Sequence, residues 1–148
     1  MTAALAAYAS MFASAFLAAT ILPFYSEILF VGLHQTGHPA LPLWLAATAG
    51  NTGGALVNWA LGYYLVHFQD RRWFPFKPGR LGRAQGWYQR WGVWSLLLSW
   101  APVGGDALTF IAGLMRTRLW LFLLLTVISK GGRYAVLLAA LEGIRWLG

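Results

Sequence analysis

Residues 91–115 form an apolar run whose only charged side chain is Asp106, and the stretch Ser99-Trp100-Ala101-Pro102-Val103-Gly104-Gly105-Asp106 inside it constrains everything around it. Proline removes a backbone donor and collides with the preceding turn, and two adjacent glycines weaken a helix further. The backbone is therefore expected to break here, with Pro102, Gly104 and Gly105 holding the break open. In a bilayer, broken backbone survives only where it is packed in protein or lines a wet cavity. The run reads as a re-entrant hairpin carrying an acid, and an intramembrane carboxylate, costing about 2.5–3.5 kcal/mol on insertion scales, is functional by default. The plainer alternative is a helix that ends early, with Asp106 capping the next one.

A membrane setting is what the composition supports. Of 148 residues, 59% are hydrophobic and 10% charged, with a mean hydropathy of +0.58; soluble domains carry about 25% charged residues. The length allows one membrane domain. With no cysteine, disulfides and thiolate-ligated metals are excluded. A net charge of +7 would suggest nucleic acid in a soluble protein. Here the basic residues sit beside apolar segments, so they read as topology and lipid head-group signals, and no nucleic-acid partner is expected.

Residues 3–22 are apolar and uncharged, long enough to cross or deeply enter a bilayer. Ala13-Ser14-Ala15 mimics a signal-peptidase site, but the first basic residue in the chain is Arg71, so cleavage is not expected. Pro23-Phe24-Tyr25-Ser26-Glu27 then repeats the theme of a proline followed four residues later by an acid. His34-Gln35-Thr36-Gly37-His38-Pro39 is a short polar turn; its two histidines are four apart, yet Gly37 and Pro39 argue for a loop and against a metal site. Residues 41–68 are a second spanning segment, along which Ala46, Gly50, Gly54, Asn58 and Gly62 form a small-residue face suited to close helix approach. Asn51 and Asn58 are amides that need partners, either across a helix interface or along a polar path for a head group.

Residues 70–90 are polar and hold six basic side chains, Arg71, Arg72, Lys77, Arg80, Arg83 and Arg90, which places this loop in the cytoplasm by the positive-inside rule. Pro75, Pro78 and Gly79 break its first half. In its second half Leu81, Ala84, Tyr88 and Trp91 share a helical face, which predicts a short helix in the head-group layer. Arg116 and Arg118 join the same side only if the preceding hairpin re-enters, so the charge bias favours re-entrance independently. Residues 119–141 are the last span. Lys130 stands at its centre, beyond easy snorkelling distance, with Arg133 one turn on. Gly131, Ala135, Ala139 and Gly143 repeat the small-residue spacing.

The chain thus contains an internal repeat. Pro23 to Glu27 and Pro102 to Asp106 have the same spacing, and each acid precedes a span bearing a glycine pair, Gly53-Gly54 or Gly131-Gly132. The expected fold is an all-α integral membrane protein of two inverted repeats, each a re-entrant helical hairpin plus a transmembrane helix. Repeat one covers about 3–68, the basic loop about 69–90, and repeat two about 91–143. Inverted repeats with broken segments place binding sites at the repeat junction, as in many secondary transporters. Glu27, Asp106, Lys130 and Arg133 would lie at membrane depth, pairing to lower a burial cost that neither sign bears alone. Such a site can exchange protons as it alternates between partners, or hold a phosphate or carboxylate on its cations.

The proline-acid hairpins, the run Gly50-Asn51-Thr52-Gly53-Gly54, and the stretch from Leu98 to Asp106 continuing through Ala112-Gly113-Leu114-Met115-Arg116 resemble the DedA membrane family, and within it the short YqaA type. The resemblance covers about residues 17–140. It extends to the eukaryotic VTT-domain scramblases and implies re-entrant hairpins, inverted repeats and movement of phospholipid or polyprenyl-phosphate head groups between leaflets, with proton coupling in some bacterial members. Two departures stand out. The family's first hairpin usually reads Pro-Gly-Asp-Ser, whereas the acid here, Glu27, comes two places later. Its second hairpin usually carries arginines on both sides of the proline, where this chain has Ser99 and Gly105. Those arginines are not carried over, and Lys130 and Arg133 are the cations that remain.

The expected activity is therefore that of a multi-pass bacterial inner-membrane protein, a homo-oligomer, passing anionic lipid head groups between leaflets. Glu27 and Asp106 would be its proton-responsive acids, and Lys130, Arg133, Asn51 and Asn58 its head-group contacts. The rival is a non-transporting scaffold supporting envelope homeostasis, whose buried charges only set helix register. An enzyme is not expected, since no Ser-His-acid set, metal cluster or phosphate-cradling loop is legible, and no cofactor is implied.

Overall fold

A computed structural model describes residues 1–20, 25–65, 78–100 and 105–147, and every regular element among them is helical. The helices are α1 (Thr2–Thr20), α2 (Tyr25–Gln35), α3 (Ala40–Leu65), α4 (Pro78–Trp91), a 3₁₀ segment (Gly92–Leu98), α5 (Gly105–Leu114) and α6 (Leu119–Leu147). Pro23, Pro102 and Gly104, the end of the second span from 66 to 68 and the 69–77 part of the basic loop lie outside the described residues.

The element order repeats. Residues 21–24 and 101–104 each precede a short helix, α2 or α5, and a tight turn then leads into a long one, starting at Ala40 or at Leu119, 79 positions later. Both turns close in the same way. At the end of α2, His38 N–H donates to Leu33 O (3.2 Å) and Gly37 N–H to His34 O (3.1 Å), with Gly37 at φ +93°. At the end of α5, Thr117 N–H donates to Ala112 O (2.9 Å) and Arg116 N–H to Gly113 O (3.0 Å), with Arg116 at φ +57°. These are paired Schellman caps, which satisfy the last carbonyls of each helix. The second pays for a side chain in the left-handed region, and its arginine lies over the Tyr63 ring, 4.8 Å from the centroid.

By contact, the chain divides into two compact units. Met1–Gly54 with Lys130–Gly148 form the first and Ala55–Ser129 the second, so α3 and α6 each contribute to both. The first unit packs Met11, Ala15, Phe30, Leu43, Ala47 and Tyr134 together. The backbone of α1 lies directly on α3 there. A methyl at Gly50 would strike the Phe12 carbonyl, and one at Gly54 would lie 2.5 Å from the Phe16 carbonyl. The second unit is centred on Leu96, Leu108, Phe110, Ile111, Phe122 and Leu125. Within it α3 and α5 cross through reciprocal glycines, Gly62 under the Phe110 carbonyl and Gly113 under the Trp59 carbonyl. Three of the expected small residues on α3 are thus what admits a neighbouring backbone. The matching face of α6 differs: Gly131 meets Trp44, whereas Gly143 has nothing within 4 Å.

Two helices among the described residues are both long and apolar enough to cross a membrane, Thr2–Thr20 and Leu119–Ile144. α3, expected to span over 41–68, has 26 residues and is about 39 Å long. It reaches far enough, but its asparagines, threonines and glycines keep it from being the third such helix. Leu5, Phe12 and Leu17 on α1 and Leu124, Ile128, Val136 and Ile144 on α6 are exposed, while Ser26, Thr48, Asn51 and Lys130 are buried. Apolar outside and polar within is the distribution a lipid solvent selects.

One local expectation needs correction. Pro78 and Gly79, expected to break the first half of the basic loop, open α4 instead; proline fits the first helical position, where its missing donor is not needed. Of the residues expected to share a face of this helix, Tyr88 is buried, its hydroxyl paired with Thr117 Oγ1, and Trp91 is exposed together with Trp87 and Trp94, with Arg90 over the Trp91 ring. Gly92, at φ +63°, turns the chain out of α4 there and sets the following tryptophan apart from the helical period.

Gly113→Leu is expected to lower stability in detergent by about 1–3 kcal/mol through overpacking against α3. Gly143→Leu, with open space around it, should stay within about 0.5 kcal/mol of the parent. Thermal midpoints of the two purified variants decide the matter.

Candidate functional site

In the first unit the first turn of α2 brings Glu27 against the middle of α6. The Glu27 Oε1 and the Arg133 Nη2 are in direct contact, with side chains 22% and 17% exposed. The other oxygen is held separately: Ser26 Oγ donates to Glu27 Oε2 (3.3 Å), and Tyr134 Oη donates to Ser26 Oγ (2.9 Å). Tyr134 is fully buried, its ring 5.6 Å from that of Phe30. Asn51 lies beside the Tyr134 hydroxyl, and its Nδ2–H donates to the Ala15 carbonyl of α1 (3.0 Å). Two turns nearer the start of α3, Trp44 Nε1–H donates to Gly131 O (2.9 Å) and ties α3 to α6.

A second contact of opposite polarity joins the far end of α2 to α6: His34 Nε2 and Glu142 Oε1 are 2.9 Å apart. His34 and Gln35, expected in a polar turn, belong to the last turn of α2 instead. The Schellman donors are Gly37 and His38, so the turn starts only at Thr36.

In the second unit Asp106 stands in the first turn of α5, the same position that Glu27 has in α2. Gly105, expected within the break, is the first residue of α5 and is buried under the Ser99 carbonyl, 2.5 Å from where a Cβ would sit. Ser129 of α6 fastens the chain ahead of the break: its hydroxyl donates to Leu97 O (3.0 Å) and accepts from Ser99 Oγ (3.1 Å) and Trp100 N–H (3.0 Å). Asn58 reaches from α3 to α5, its Nδ2–H donating to Thr109 Oγ1 (3.3 Å), and Thr109 Oγ1 donates to Asp106 O (2.6 Å).

Of the four expected charges, Glu27 and Arg133 come together. Asp106 belongs to the second unit and Lys130, 1% exposed, to the first. Asn51 and Asn58 each donate to a neighbouring helix. Ser26, Tyr134 and Ser129 were not singled out by sequence reasoning. The available signal was adjacency: Ser26 precedes Glu27 and Tyr134 follows Arg133, so any contact between those two charges brings the hydroxyls close as well.

The sequence matches the family described as VTT domain over residues 1–142. It is 40% identical over 140 residues to the inner membrane protein YqaA of Escherichia coli K12, covering 93% of each chain, and equally similar to the Shigella flexneri protein of the same name. An uncharacterized protein of Haemophilus influenzae is 37% identical over 136 residues, 86% of this chain and 83% of that one. No solved structure matches.

Removing one partner of a mostly buried ion pair strands the other charge. Arg133→Met is accordingly expected to cost up to about 3–5 kcal/mol, with Glu27→Gln similar. The double variant should recover most of that loss, and chemical denaturation of the three proteins in the same detergent measures it.

Proposed function

Since this chain belongs to the VTT-domain (DedA) family of membrane proteins, we propose that it is a bacterial inner-membrane protein that moves anionic lipid head groups, of phospholipid or polyprenyl phosphate, between leaflets. In this reading the two repeats enter the bilayer from opposite faces, the 69–90 loop is cytoplasmic and the protein works as a homo-oligomer. The observation that carries the reading is the Glu27–Arg133 pair, set among apolar helices directly after residues 21–24. A guanidinium binds a phosphate or a carboxylate through the same forked donors. A head group and Glu27 therefore compete for Arg133, and a proton on Glu27 tips that competition toward the head group.

The Escherichia coli and Shigella flexneri relatives are named as inner membrane proteins, which supports the membrane location. Asp106, at the equivalent position of α5, is read as the counterpart acid, and the backbone around Gly105 and Ser99 as the part that must rearrange for passage. Such a rearrangement would act on the three hydrogen bonds centred on the Ser129 hydroxyl.

Leaflet exchange in liposomes, followed across several anionic lipids with and without a pH gradient, tests the proposal. Asp106→Asn and Lys130→Met are expected to abolish exchange with helix content and elution unchanged. Exchange that survives in both folded variants removes these residues from the path, and a folded wild-type protein that gives no exchange points instead to a scaffold, in which buried charges serve register alone.

A further inference from the structure

In the first unit the face of α3 that carries Trp44 toward Gly131 is polar. Thr48, Asn51 and Thr52 occupy positions i, i+3 and i+4, so they share one side of the helix. All three are more than nine-tenths buried, and Thr48 Oγ1, Asn51 Oδ1 and Thr52 Oγ1 have no hydrogen-bond partner among the described residues. A buried polar atom left in that condition costs about 1–3 kcal/mol, and protein interiors satisfy such groups with ordered water. Trp44 and Thr48 close on Gly131, 3.0 Å and 3.4 Å from where a Cβ on it would sit, which sets Thr48 against α6. Asn51 stands beside the Tyr134 hydroxyl, from which the donors run in one direction, Tyr134 to Ser26 and Ser26 to Glu27.

We propose that water held on Thr48, Asn51 and Thr52 continues through the Tyr134 and Ser26 hydroxyls as a proton path ending on Glu27. The inference rests on the reading of Glu27 as a proton-responsive acid. A proton arriving from water is taken up by the Tyr134 oxygen as the Tyr134 proton passes to Ser26 and the Ser26 proton passes to Glu27 Oε2. Each hydroxyl gives one proton and gains one, so both end neutral with their hydrogen bonds reversed, and only the carboxylate changes charge. The groups that face Glu27 make this route specific. Arg133 occupies the opposite oxygen, Oε1, and cannot donate its proton at neutral pH. Lys130 lies one turn earlier on α6, α3 presents only neutral side chains here, and α1 carries no charged side chain. Protonating Glu27 removes the countercharge that Arg133 faces, which links the path to the head-group competition.

The test reads Glu27 itself rather than transport. The full chain in liposomes is followed by infrared difference spectroscopy after a pH jump, and the carboxyl band of Glu27 is assigned by its disappearance in Glu27→Gln. Tyr134→Phe, which keeps the ring against Phe30, is expected to leave the amplitude of the band intact and to slow its rise by at least about tenfold. Ser26→Ala should do the same and stands in if Tyr134→Phe does not fold. Asn51→Leu, which dries the α3 face, should also slow it. Unchanged rates in both hydroxyl variants, or a wild-type Glu27 that gives no carboxyl band at any pH, overturn the path. A slowed band in a protein that shows no leaflet exchange upholds the path and removes the transport reading, so the two fail separately.

Discussion

A charge withdrawn from water has to keep a partner, and the contact between Glu27 and Arg133 meets that condition for the first unit. Its geometry draws on three elements. The first turn of α2 carries the carboxylate, α6 supplies the guanidinium and the Tyr134 hydroxyl, and α3 supports Tyr134 through Asn51, itself anchored on the α1 carbonyl of Ala15. Each oxygen of the carboxylate therefore has a different neighbour. One faces a fixed positive charge, the other a hydroxyl that can turn.

The lipid setting explains why so much of the remaining architecture depends on small residues. Between helices in a bilayer the solvent is as apolar as the side chains, so association comes from close backbone approach and from hydrogen bonds. α3 uses glycines for both of its close neighbours, α1 at Gly50 and Gly54 and α5 at Gly62. Side-chain bonds to main-chain carbonyls complete the contacts, Trp44 to Gly131 in one unit and Trp59 to Thr117 in the other. The second of these also fixes the turn after α5, since Thr117 takes Trp59 on its carbonyl and Tyr88 on its hydroxyl.

The two halves share an element order and a turn chemistry, yet they differ in the residues at equivalent positions. Glu27 and Asp106 are both first-turn acids. Gly37 and Arg116 close equivalent caps by different means, a glycine that tolerates the left-handed backbone and an arginine stabilised there by an aromatic ring. Gly50 stands where the second half has Ser129: one admits the backbone of α1, and the other ties down the chain before Gly105.

Much of this was determined by the sequence alone. Prolines and glycines interrupt apolar runs for local steric reasons, so the positions of α2 and α5, the long helices after them and the helical repeat could be read without coordinates. The spacing of small residues on α3 announced close packing, though not which helix each glycine would receive. Partner choice was a tertiary decision. Burial and charge named four ionic residues, but only the packing of α2 on α6 joined Glu27 to Arg133 and, at the other end of α2, His34 to Glu142. The hydroxyls of Ser26 and Tyr134 and the orphaned oxygens of α3 could not be foreseen either, because a hydrogen bond depends on angles and distances between segments 108 residues apart, and linear spacing does not carry them.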